Sequence, residues 1–159
     1  LRFYIIYIGL ILLNLFVWGF SNMIGLILFF LISSYHFGES QLYKFDLKNK
    51  LISHFSYLCW GASVIVSFLF YNIDELVFLS NSYEDTRNLL SNINLNLFSY
   101  LFIISNITTL ILYIYFIYQY NIKINKVISE IFFLLVIHLS SFLFPLLICF
   151  TLFFISSNA

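Results

Sequence analysis

Charge is what this chain has least of. Only 9% of its 159 residues are Asp, Glu, Lys or Arg, and the two signs cancel to a net charge of zero, where soluble domains carry roughly 25% charged residues. That shortage excludes a water-soluble domain and leaves an integral membrane protein. It also excludes nucleic acid as a partner, because no basic stripe with interleaved aromatics exists to meet phosphates. Cysteine is nearly absent: Cys59 and Cys149 sit in separate apolar runs without C-x-x-C spacing, which argues against a disulfide framework or a zinc site. Proline occurs once, at Pro145, so a single apolar run carries a built-in break. Histidine occurs three times, at His36, His54 and His138, which limits the imidazoles that any metal could use.

What is present is apolar. Hydrophobic residues make up 62% of the chain and the mean hydropathy is +1.00. A helix needs about 20 apolar residues to cross the hydrocarbon core, and the runs at about 3–20, 23–45, 51–71, 97–118 and 127–155 approach or exceed that. The fold class expected is all-α, a polytopic transmembrane helix bundle of about five to six spans forming one domain over 1–159. The chain opens at Leu1 inside one apolar run and closes at Ala159 after another, which reads as truncation at both ends. The first run lacks a short h-region with a small-residue cleavage site and reads as a span, not a signal peptide. A corner at Gly19-Phe20-Ser21-Asn22 folds the first two spans into a hairpin. Arg2, Lys44, Lys48, Lys50, Lys123 and Lys126 fall on one side of a five-span arrangement and Arg87 on the other, so the two lysine loops are expected in the cytoplasm of a multi-pass cell-membrane protein. The polar segment 72–96 is expected outside the membrane, with short amphipathic helices at Asp74 to Leu79 and Tyr83 to Ile93 and carboxylates that solvate the surface. The last run is 29 residues long, about 43 Å of helix, and a kink or return is expected near Phe144 and Pro145.

Ionisable groups gather at one place, Ser33-Ser34-Tyr35-His36-Phe37-Gly38-Glu39-Ser40-Gln41-Leu42. Met23 to Tyr35 is too short to span, so the second helix continues through His36 and Glu39, which then lie on one face within the membrane. Such groups at membrane depth mark a pathway, a ligand or a metal. His36 and His138 reach similar estimated depths on antiparallel helices, which makes them a candidate metal pair, with Glu39 as a ligand or as the acceptor that orients His36. The plainer readings are a Glu39 paired with Lys44 or with a neighbouring helix, a His138 bonded to Ser140 or a backbone carbonyl, and an interfacial His54. Gly38 leaves room for a ligand or a neighbouring helix. Trp60-Gly61-Ala62-Ser63 favours close helix contact, and Asn14 and Asn106 are placed to bond across helices. Asn106-Ile107-Thr108 matches a glycosylation pattern but lies mid-span, away from the exposed loop an acceptor needs.

His36-Phe37-Gly38-Glu39 resembles the HFGE segment of the Brp/Blh family of microbial membrane β-carotene 15,15'-dioxygenases. Two further stretches follow in the family's order: Trp60-Gly61-Ala62-Ser63-Val64-Ile65-Val66 with Leu69-Phe70-Tyr71 and Asp74-Glu75-Leu76, and Glu130 followed by Phe144-Pro145-Leu146-Leu147-Ile148-Cys149-Phe150-Thr151-Leu152-Phe153-Phe154. The resemblance implies oxygen-dependent cleavage of β-carotene to retinal by non-haem Fe(2+), with His36 an iron ligand and Glu39 in support. It implies a bacterial or archaeal inner membrane, surrounding lipid, and a microbial rhodopsin as recipient of the retinal. Gln41 stands where the family often has aspartate, Phe68 where it often has proline, and Asn158 where it has a ligand histidine. The alternative is a non-catalytic relative that binds carotenoid or retinal, or assists an opsin. A transporter would need a continuous polar path, and Asn14, His36, Glu39, Asn106 and His138 are too few to line one.

Overall fold

The computed structural model describes residues 2–81 and 95–157. In chain order the elements are α1 (Arg2–Phe20), α2 (Asn22–Leu42) with a 3-10 turn at Tyr43–Phe45, α3 (Lys50–Tyr71), α4 (Ile73–Asn81), α5 (Leu95–Tyr120), α6 (Ile124–Leu143) and α7 (Leu146–Ser157), with no strand among the described residues. The fold is all-α. Four stretches, Asn22–Phe45, Lys50–Tyr71, Asn96–Tyr120 and Ile124–Leu143, are long and apolar enough to cross a membrane, and α1 adds a shorter one at Ile8–Phe20. The expected helix over Tyr83 to Ile93, Arg87 and Asn158 lie outside the described residues.

Small polar residues set where the helices begin. Ser21 caps α2 by accepting from the Ile24 N–H, and Asn49 caps α3 by accepting from the Leu51 and Ile52 N–H groups at 3.0 and 3.3 Å. Each satisfies donors that an uncapped helix would leave bare.

The bundle is built around α3, which packs against α2, α5, α6 and α7. Trp60, Val64 and Phe68, one helical turn apart, are fully buried. Ser53, Ser56, Ser63 and Ser67 are buried too, and each donates to a carbonyl of α3 itself or of its cap, as Ser56 does to Ile52 at 2.6 Å. Their hydroxyls are satisfied locally, so they offer neighbouring helices a small surface at little cost.

The closest approach is between α2 and α3. A Cβ on Gly38 would collide with the backbone carbonyl of Tyr57, and one on Gly61 with the backbone carbonyl of Ser34. The pairs are reciprocal, Ser34 with Gly61 and Gly38 with Tyr57, as two antiparallel helices require. Glycine's missing side chain permits this approach, and Cα–H to carbonyl contacts add to it. Of the two roles open to Gly38, close packing of a neighbouring helix is the one found.

The single proline ends α6. Phe144 adopts an extended conformation, φ −124° and ψ 150°, as a residue before proline does. The chain then doubles back as α7: Phe153 lies 6.3 Å from Phe133, and the Cys149 thiol donates to the Ser140 carbonyl at 3.3 Å. Of the two forms expected near Pro145, two pieces with a return is the one observed.

Glu75 corrects one expectation. Expected to solvate the outer surface, it accepts a hydrogen bond from the Leu146 N–H at 2.8 Å through Oε2, at the N-terminus of α7, where a carboxylate meets bare N–H groups and the positive end of the helix dipole. Asn72 reinforces the junction by donating to the Ser141 carbonyl at 3.2 Å. We expect Glu75→Ala to lower stability by about 0.5–2 kcal/mol, the scale of a lost helix cap, and Glu75→Gln to lower it by less. Thermal unfolding of the purified protein in detergent checks the order.

At the opposite end of α3 the two lysine loops meet. Phe45, Tyr120, Asn121, Ile122, Lys123 and Lys126 line one shallow cleft, and Phe45 packs edge-on against Phe116 at 5.9 Å.

Candidate functional site around His36

His36 sits on α2 between two backbone anchors, Ser34 and Gly38, both pressed against α3. Its position is therefore set by main-chain packing. Its neighbour Phe37 is buried and meets Phe153 of α7 at 4.6 Å, and Phe153 in turn lies 6.3 Å from Trp60 of α3. The HFGE segment, the glycine-centred stretch of α3 and the run after Pro145 are far apart in sequence and share one core.

The aromatic residues beside His36 carry a hydrogen bond that sequence reasoning missed. The Tyr35 hydroxyl and His54 Nδ1 are 2.6 Å apart, their rings lie 5.7 Å apart in a stacked arrangement, and Tyr57 meets both rings edge-on at 5.8 and 6.2 Å. His54, expected at the interface, is exposed and tied to Tyr35. Glu39 is half-buried and within electrostatic range of Tyr35 and Tyr57.

Glu39 is not the partner of Lys44. Lys44 pairs with Glu130 of α6, a carboxylate only 2% exposed whose Oε2 has no hydrogen-bond partner among the described residues. Close by, the Trp60 Nε1–H donates to the Tyr113 hydroxyl at 2.7 Å, and both residues are fully buried. The signal for Glu130 was a lone acid in an apolar run; its partner, 86 residues earlier, carried none.

His138 lies in the seam between α5 and α6. Its Nε2 is 3.0 Å from Asn106 Oδ1, and Tyr71 and Phe102 approach its ring edge-on at 6.1 and 5.5 Å. The Asn106 amide nitrogen donates to the Phe102 carbonyl at 2.8 Å, so its oxygen faces the imidazole and Nε2 carries the proton. Asn106 bonds across helices as expected, and it, not Ser140, is the partner of His138.

The structure does not bring His36 and His138 together. His36 lies opposite the Tyr57–Gly61 stretch of α3, whereas His138 lies beside Tyr71, ten residues beyond Gly61 and about 15 Å further along the helix. Equal depth from the helix ends did not translate into a shared location: α6 meets the same stretch of α3 through Phe133, 6.3 Å from Trp60, and His138 lies more than a turn further along α6. Among the described residues, no three His, Cys, Asp or Glu side chains form a group able to hold a metal ion.

The family model for beta-carotene 15,15'-dioxygenase matches residues 1–156. The chain belongs to this family. Comparisons with curated proteins and with solved structures return no match. Non-haem iron oxygen chemistry uses several imidazole or carboxylate ligands with open positions. For iron, the described part of this dioxygenase-family chain offers one imidazole at His36 and a carboxylate one turn later, which is not a complete ligand set.

Proposed function

We propose that the protein cleaves β-carotene centrally with molecular oxygen to give retinal. The observation that carries this reading is the family match over 1–156, and the placement of its HFGE segment in the α2–α3 seam supports it. Breaking the central carbon–carbon double bond and giving each carbon one oxygen atom converts one β-carotene and one O2 into two retinal molecules, with no proton or electron left over. The cofactor proposed is Fe(2+), with His36 as one ligand. Glu39 is proposed as the carboxylate that orients the imidazole, as acceptors do for metal-bound histidines. The bundle's membrane character suits a substrate dissolved in lipid, and a microbial rhodopsin is the proposed recipient of the product.

The test is expression of the full-length protein in cells that accumulate β-carotene. The expected result is loss of orange colour with retinal appearing, abolished by His36→Ala at unchanged membrane abundance. Intact pigment in cells that contain well-folded protein would overturn the reaction and favour carotenoid or retinal binding without cleavage.

A further inference from the structure

A cleft of about 460 Å³ lies between α1 and α2, lined by Leu10, Trp18, Phe29 and Ile32 among others, with Asn14 and Ser33 as its polar residues. Its size falls within the range of about 300–1,000 Å³ typical of small-molecule sites, and apolar walls with one or two placed polar groups are the usual composition of such sites. Asn14 was expected to bond a neighbouring helix. Instead its Oδ1 is buried and has no hydrogen-bond partner among the described residues. A buried acceptor without a donor is costly in an apolar setting, and hydrocarbon cannot relieve that cost.

We propose that this cleft binds a membrane-dissolved isoprenoid alcohol, with its hydroxyl held between Asn14 and Ser33. The hydroxyl donates to Asn14 Oδ1 and accepts from the Ser33 hydroxyl, which completes both groups. The branched and aromatic walls, Leu10, Ile32, Trp18 and Phe29, suit a methyl-branched chain or ring. An acyl lipid tail would fill the same space and leave Asn14 Oδ1 unpaired, so the unpartnered oxygen favours an alcohol. Ser33 is three residues before His36 and shares its helix face, where side chains at this spacing are about 5–6 Å apart at Cβ. A ligand seated at Ser33 therefore ends beside His36. The choice of a retinoid as probe rests on the proposed reaction; the hydroxyl preference rests on Asn14 and Ser33.

The test uses the full-length protein in lipid nanodiscs and all-trans-retinol, whose absorption overlaps tryptophan emission, so that Trp18 in the cleft wall reports binding. Saturable quenching by retinol is expected, reduced in the Trp18→Phe variant, which keeps Trp60. Axerophthene, the hydrocarbon that lacks only the hydroxyl, should bind about tenfold more weakly, the scale of one buried hydrogen bond. Asn14→Leu should erase that preference, and Ser33→Ala should reduce it if Asn14→Leu does not fold. Equal binding of retinol and axerophthene, or a preference that survives Asn14→Leu, would overturn the proposal. Cleavage of β-carotene by the same preparations is a separate readout: lost cleavage with retinol selectivity intact counts against the reaction alone, and lost selectivity with cleavage intact counts against the cleft alone.

Discussion

Gly61→Val should abolish folding of the bundle. The position where a Cβ would stand at residue 61 is already taken by the backbone carbonyl of Ser34, and a main-chain atom cannot rotate away as a flexible side chain can. The helices must separate, and separation also loosens the reciprocal contact of Gly38 with Tyr57. Overpacking a tight core costs about 1–3 kcal/mol, occasionally more, and Gly61→Ala should reach the upper part of that range because backbone, not side chain, is displaced. The valine variant should give no monodisperse protein after detergent extraction. Gly9→Ala is the control: nothing lies within 4 Å of its Cβ position, and removing a helix-interior glycine is neutral or mildly stabilising. Equal thermal stability of Gly61→Ala and Gly9→Ala would show that α2 and α3 do not approach this closely.

Lys44→Met should be the next most damaging change, although Lys44 itself is 53% exposed. The cost falls on Glu130, buried at 2% exposure with one oxygen already unpartnered among the described residues. Removing one member of a buried pair costs about 3–5 kcal/mol, because the remaining charge is left uncompensated, and solvent around the ammonium brings the expected loss toward the lower end. Adding Glu130→Gln to Lys44→Met should recover most of the loss, since a neutral amide needs no counter-charge. A double-mutant cycle on thermal unfolding reads this directly: a strongly non-additive result confirms the pair, and simple additivity removes it.

The helices of this protein were legible because their causes are local. Long apolar runs, the turn residues from Gly19 to Asn22 and one proline at 145 act on adjacent backbone, and α2 runs through His36 and Glu39 because a shorter helix could not span. The small residues at Gly61 signalled close packing for the same reason. Partner choice was less legible. Lys44 had a nearby acid in Glu39 and a distant one in Glu130, and the distant one won because α6 carries it into contact when the bundle closes. His138 had a serine two residues away and bonded Asn106 on another helix. The pairing of His36 with His138 was argued from distances along each helix, but meeting also requires both to pack against the same level of α3, and linear spacing does not encode that level. Asn14 was read as helix glue, while the groove between α1 and α2 leaves its oxygen unmet.

The contact between Glu75 and the start of α7 joins residues 71 positions apart, and this bears on the order in which the protein is made. When α3 and α4 emerge from the ribosome, the amide that Glu75 will cap has yet to be synthesised. The carboxylate must wait in water at the membrane surface while α5 and α6 insert. Once α7 follows, the Leu146 N–H in its first turn needs an acceptor. Closing that contact pins α7 to α4, so a helix made after α5 and α6 is latched by a residue made before them.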